Sequence, residues 1–415
     1  MNEQLVVKNF GPIKDATVDF KRVTVFIGPT GGGKSTLAKL ITILRNKHFL
    51  STQKSLRLPF LRNYSIDKYI QEKTFIGIAN GGFSLAFNKN LDFGGVNLAK
   101  NEVGEILRKG LDGSTLDADD IVLATETLSS IASKMPESFS QKIIFDALCE
   151  LSKKSKKTHD KLAKILVELG RNNIYFEPKY LPAERTFVAA IEYSWAGLMR
   201  DDIGLPKTVL EFANTFSIAR QEIDELEIPF IKATYRHIDG LDYIKHDDSD
   251  ELFRINETAS GIQSVTPLLV LLEHLSRNTE QAQSFIIEEP ELNLYPTAQQ
   301  GLLNWLVEKC TKGENDLTIT THSPYILSHL NLMLYAYQVA EKHPDQKAAI
   351  AAIVPEASWI NPKEFACYQV EGGGVHSLVD AELGLIDNNA LDNISGDKAD
   401  AFDQLININR GFAHA

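Results

Sequence analysis

Four short stretches of the chain carry side chains whose types and spacing suit phosphate chemistry. The first is Gly28-Pro29-Thr30-Gly31-Gly32-Gly33-Lys34-Ser35-Thr36, which fits Gly, four residues, Gly-Lys-Ser/Thr. Glycine lacks a Cβ, so successive backbone N–H groups in such a loop can curl round phosphate oxygens. A helix behind it adds about half a positive charge at its start. In that frame Lys34 reaches the β and γ phosphates of a nucleotide and Ser35 ligates Mg²⁺. The alternative is a glycine-rich turn that binds nothing.

The second stretch, residues 284–296 (SFIIEEPELNLYP), is an apolar run ending in Glu288 and Glu289. A strand of this kind, expected beside the phosphate-loop strand, delivers Glu288 to the metal and Glu289 to the attacking water as orienting group or base. An acidic loop capping a core strand is the bland alternative, and it explains one carboxylate better than two adjoining ones. The third, residues 317–327 (LTITTHSPYIL), sets His322 just after another apolar run, where an imidazole can sense a γ-phosphate, although a lone histidine is by itself usually a satisfied structural residue. The fourth, residues 257–264 (ETASGIQS), puts Ser260 and Gly261 at the start of an expected helix. A hydroxyl, a bare backbone and a helix N-terminus together form an anion site, although a plain serine N-cap is slightly favoured on sequence alone.

These stretches need elements to hold them. Residues 5–7, 16–20 and 23–27 read as strands, and Leu37, Leu40, Ile41 and Leu44 recur at helical spacing behind the loop. Residues 74–88 alternate around Asn80-Gly81, the strongest hairpin signal in the chain, and define an antiparallel lobe. From about 101 to 170 the pattern turns helical without sustained heptads, which predicts a compact helical insertion. Strand-like segments return at 173–176 and 229–255. Helix 268–275, strand 284–287, helix 297–310 and strand 317–321 then follow, and Pro267 is expected to kink the helix opened by Ser260 and Gly261 or make it restart early. Such alternation predicts an α/β fold around parallel strands. Three regions result: an N-terminal lobe over 1–100, a helical insertion over 101–172 and a C-terminal lobe over 173–415.

With its four motifs in this order, the chain resembles the ATP-binding-cassette class of ATPases. The likeness is greatest to the soluble SMC, RecF and overcoming-lysogenization-defect (OLD) branch, including ATPase subunits of anti-phage defence systems such as PARIS and Septu. The likeness covers residues 1–42 and 254–330. It implies a P-loop NTPase head with a mixed or parallel sheet core, an antiparallel β lobe and a helical insertion. By the same resemblance, residues 28–36 match the Walker A loop, Glu288 the Walker B acid, Glu289 the catalytic glutamate and His322 the switch histidine. Ser260, Gly261 and Gln263 match the signature motif, which in this class contacts ATP held by the opposite subunit. Two residues depart from the pattern: Ile262 stands where a second glycine is usual, and Glu288 where aspartate is usual. Residues 180–187 (YLPAERTF) also resemble a segment of the OLD-like branch. Within it, Arg185 reads equally well as a charge sensor or as a salt-bridge partner of Glu184.

Composition narrows the rest. A formal charge of −12 over 415 residues argues against coating of nucleic acid, because affinity for a polyanion comes from neutralised phosphates. The basic run 153–161 leaves a local groove open, with a solvated surface as the simpler reading. Cys149, Cys310 and Cys367 show no metal spacing, and no apolar run nears the roughly 20 residues that span a bilayer, which suits a reduced cytoplasmic setting. Asp380, Glu382 and Asp387 are the only tempting carboxylates of the tail, which reads as structural, so any nuclease is expected on another chain. The whole predicts an ATP- and Mg²⁺-dependent hydrolase that dimerises on ATP and controls a separate nuclease or toxin effector. A RecF- or SMC-like DNA-binding ATPase is the alternative.

Overall fold

The computed structural model describes residues 3–46, 48–49, 57–80, 83–91, 93–98, 177–191, 204–277, 281–387 and 401–406. The expected insertion at 101–172, the basic run 153–161, the strand at 173–176 and Cys149 lie outside these residues.

Fifteen strands follow in chain order among the described residues: β1 Glu3–Phe10, β2 Ile13–Phe20, β3 Val23–Ile27, β4 Ile70–Asn80, β5 Phe83–Asn88, β6 Phe93–Leu98, β7 Glu177–Leu181, β8 Glu225–Ile228, β9 Ala233–Ile238, β10 Leu241–His246, β11 Leu252–Arg254, β12 Gln283–Glu288, β13 Asp316–Thr320, β14 Phe365–Glu371 and β15 Gly374–Ser377. The longer helices are α1 Lys34–Arg45, α2 Lys207–Ala219, α3 Ser260–Ser276, α4 Pro296–Cys310 and α5 Pro324–Lys342. The strands form three sheets. An antiparallel one runs β2-β1-β4-β5-β6, a small antiparallel one runs β11-β10-β9-β8, and the central one runs β15-β14-β3-β13-β12-β7. Within the central sheet all neighbours are parallel except β14 and β15.

Strands β3, β12 and β13 are buried at every position, which is why they read as near-continuous apolar runs. Their side chains alternate between two cores. Val23, Val25, Ile27, Phe285 and Ile287 join α3, α4 and α5 on one face, while Phe26 and Ile286 join α1 and the N-terminal antiparallel sheet on the other. The result is a three-layer α/β fold whose central sheet draws β3 from the start of the chain, β7 from residues 177–181 and its other four strands from the second half.

The expected elements appear with two differences. Strand β12 is not beside the phosphate-loop strand, because β13 pairs with both and lies between them. Helix α3 runs unbroken through Pro267 instead of restarting there. Burial of Val265, Leu268, Leu269 and Leu272 around the proline outweighs the one backbone hydrogen bond it removes. The strands of the expected hairpin pair antiparallel, with Asn80 opposite Phe83. Strand β14 has no counterpart in the sequence reading, although it pairs with β3 over Val23–Ile27.

At the opposite end of the sheet from the loops, Arg45 of α1 is fully buried. Its Nε donates to Glu3 at 2.8 Å and its Nη1 to Asp316 at 3.0 Å, with a further bond to Ser284. One cation thereby ties α1 to β1, β12 and β13. Arg45→Met leaves two buried carboxylates without it and should destabilise the fold by about 3–5 kcal/mol. Burial raises the Asp316 carboxyl from 3.8 to about 6 even beside Arg45. A raised carboxyl favours the folded state below its unfolded value, and that contribution is lost as pH climbs through about 6. Without Arg45 the carboxyl rises further, so urea unfolding should show a larger loss at about pH 8 than at about pH 5. A loss independent of pH contradicts this account of the network.

Candidate nucleotide site

The glycine loop leaves β3 and enters α1 with Gly33 as N-cap, at a φ of 113°, and with no side chain capping the first turn. The first N–H groups of the helix therefore face outward without a partner of their own, as an anion site requires. Two glycines are forced by packing. A Cβ on Gly28 would run into the carbonyl of Val370 at the end of β14, and one on Gly32 would lie 2.6 Å from the same oxygen. The strand missed in the sequence thus shapes the loop. A Cβ on Gly31 would meet nothing within 4 Å, so the loop is open there. Pro29, Thr30 and Gly31 lie on its exposed rim, whereas Lys34 and Thr36 are buried and Ser35 is partly so. Lys34 folds back over the loop, its Nζ donating to the carbonyls of Gly28 at 2.8 Å and Pro29 at 3.1 Å.

The ends of β12 and β13 bring acids and an imidazole to the same edge. Burial lowers the Lys34 ammonium, and Glu289, Glu288 and Glu291 oppose that, which puts all three carboxylates within its field. Glu289 has a left-handed backbone, at a φ of 41°, and its carboxylate meets His322 Nε2 at 3.2 Å. The Glu288 carboxylate is held above its ordinary value by burial, while Lys39, Tyr180 and Ser35 act in the opposite sense. One Glu288 oxygen, Oε1, is buried without a partner. An orphan carboxylate oxygen beside a serine hydroxyl is a hard oxygen donor set that fits Mg²⁺.

Two residues of this cluster were not singled out by sequence reasoning. Glu291 Oε1 accepts from Thr321 Oγ1 at 2.6 Å and from the His322 N–H at 3.1 Å, tying the turn after β12 to the turn after β13. Its signal was its place in the same acidic run, two residues past Glu289. Tyr180 was visible only as part of YLPAER. Arg185 of that segment is fully buried and is not the salt-bridge partner of Glu184. Glu184 is exposed, and Arg185 donates to main-chain carbonyls instead.

Ser260 and Gly261 do not join this cluster by any hydrogen bond. Ala259 is the N-cap of α3 and Ser260 its first helical residue, so the plain serine N-cap reading fails. Ser260 is exposed at an uncapped helix start. Gly261 packs so closely on the turn after β12 that a Cβ would lie 2.6 Å from the Asn293 carbonyl. Ile262, in place of the second glycine, packs against the core. Gln263 turns its amide back to the carbonyls of Thr258 at 2.7 Å and Asn256 at 3.1 Å. In the tail, Asp380 Oδ1 accepts from the N–H groups of Glu382 and Leu383, a local turn, and no group of three or more His, Cys, Asp or Glu side chains placed to hold a metal occurs among the described residues. Nor is any described helix long and apolar enough to cross a membrane.

A glycine loop between a buried parallel strand and a helix, with acids and a histidine on the neighbouring strand ends, defines a P-loop nucleotide hydrolase. The model of the AAA ATPase domain family matches residues 1–174 and 120–327, and the chain belongs to that family. The chain is similar to the OLD nuclease of Thermus scotoductus, with 23% identity over 375 residues covering 86% of this chain. The chain spans 65% of that protein's length. Solved SMC head domains align at low scores. The one from Pyrococcus furiosus, with an extended coiled coil and bound to the C-terminal domain of ScpA, has a TM-score of 0.37 at 12% identity, over 90% of this chain and 95% of its own. The one from Thermotoga maritima has 0.38 at 10%, over 91% and 98%. The assignment rests on the family match and the chain's own topology.

The His322 imidazole is held below its ordinary 6.5, chiefly by burial and then by Lys34, while Glu289 works in the opposite sense. It is neutral at pH 7 and can donate from Nε2 to Glu289. Removing the anion with Glu289→Gln should lower its titration midpoint further, and Lys34→Met should raise it, both read by NMR of the imidazole. A midpoint that rises in Glu289→Gln contradicts the pairing.

Proposed function

We propose that the chain is an ATP-driven switch in which two copies close head to tail over two ATP molecules. The observation that carries this reading is the convergence of Lys34, Glu288, Glu289 and His322 on one strand edge beside the glycine loop. Residues 28–36 bind the phosphates, and Lys34 leaves its loop carbonyls to balance charge on the β and γ oxygens. Ser35 and Glu288 hold Mg²⁺, which when bound neutralises phosphate charge. Glu289 orients the attacking water and takes its proton, while His322, bonded to Glu289, faces the terminal phosphate. Ser260 and Gly261 serve the ATP of the other copy. An exposed, uncapped start of a 17-residue helix with no acidic residue in its first turn supports that role. Gln263 braces the turn that presents them.

ATP adds binding energy only to the closed pair, so hydrolysis returns the population to the open state. The output is control of a separate effector, a nuclease or toxin, in cytoplasmic anti-phage defence. Likeness to a protein named as a nuclease supports that direction.

The Glu289→Gln protein should sediment as a monomer without nucleotide and as a dimer with saturating ATP and Mg²⁺. Adding Ser260→Arg should abolish the dimer while leaving fluorescent-ATP binding intact. A Glu289→Gln species that stays monomeric in saturating ATP contradicts the shared arrangement.

A further inference from the structure

The segment YLPAER borders the acids on two sides. Strand β7 is the edge strand of the central sheet and runs parallel to β12, with Tyr180 opposite Ile286 and Leu181 opposite Ile287. Beyond β7 the chain turns tightly, the Arg185 N–H donating to the Ala183 carbonyl at 2.8 Å, and this turn aims the Arg185 side chain back under β12.

The guanidinium there does something unusual for a buried cation. Nη1 donates to the carbonyl of Glu288 at 2.6 Å and to that of Pro182 at 2.7 Å, and Nη2 donates to the carbonyl of Glu289 at 2.6 Å. Those carbonyls flank the point where the chain leaves the strand into the left-handed conformation of Glu289. A non-glycine residue persists there only where its surroundings over-determine it. Rotating that peptide would break the fork from Arg185, and the planar guanidinium fixes two acceptors at once. Burial lowers the guanidinium to about 10, so it remains a cation at neutral pH.

We propose that Arg185 is a positioning residue for ATP hydrolysis: its fork to the Glu288 and Glu289 carbonyls locks the left-handed turn that aims Glu289. This rests on the reading that Glu289 serves the attacking water. Arg185 does not touch the reacting atoms.

Arg185→Lys keeps the charge and loses the fork, so kcat should fall about 100-fold, with fluorescent-ATP affinity changed less than about threefold. Glu289→Gln is measured alongside. If Glu289→Gln is inactive while Arg185→Lys keeps wild-type kcat, the positioning role is overturned and the site reading stands. If Glu289→Gln turns over normally, the site reading falls and the proposal with it. Equal losses of kcat, ATP affinity and melting temperature in Arg185→Lys also overturn it, since a merely structural role gives that pattern.

Discussion

A parallel sheet buried on both faces has only its strand ends on which to present charge, and this constraint organises the whole molecule. Strands β3, β12 and β13 expose nothing along their length. Polar groups that must meet a ligand are therefore confined to the turns that follow them. The glycine loop leaves β3, Glu288 ends β12 with Glu289 directly after it, and His322 follows β13 by two residues. At the other end lies the buried Arg45 cluster, where one cation meets both Glu3 and Asp316. The two ends thus differ in kind. One bonds its polar groups to each other, and the other leaves an excess of carboxylate beside a loop of outward-facing N–H groups.

That excess gives the site its electrostatic character. Glu288, Glu289 and Glu291 act on Lys34 and Arg185 together, and burial holds the Glu288 and Glu291 carboxyls above their ordinary values. Lys34 directs its donors to the Gly28 and Pro29 carbonyls. Concentrated acids beside a cradle for anions suit a divalent cation bridging the two. The packing also couples the parts. Val370 of β14 limits the loop, Asn293 crowds Gly261, and Glu291 joins the turn after β12 to the turn before His322.

Much of this was legible in the amino-acid order because it depends on local pattern. The glycine spacing, the apolar run ahead of Glu288 and Glu289, and the alternation on either side of Asn80-Gly81 each state their geometry within a few residues. What was not legible depends on pairings distant in sequence. The insertion of β13 between β3 and β12 leaves no local trace, since all three are equally apolar. Strand β14 lies more than 330 residues beyond the loop it contacts and carries only a short apolar run, FACYQV, before its glycines. Arg185 looked ambiguous because its partners are main-chain oxygens, which no side-chain pattern advertises. Pro267 misled in the opposite sense, because helix propensity yields to the burial of an apolar face.

The account stands or falls on whether the triphosphate is read by the groups gathered at this edge. A crystal structure of the Glu289→Gln protein with ATP and Mg²⁺ tests that directly. The metal should lie between Ser35 and Glu288, Lys34 should have swung from the loop carbonyls to the phosphates, and residue 289 and His322 should face the terminal phosphate. A nucleotide bound away from residues 28–36, or a Lys34 still folded onto Gly28 and Pro29 with ATP in place, would contradict it.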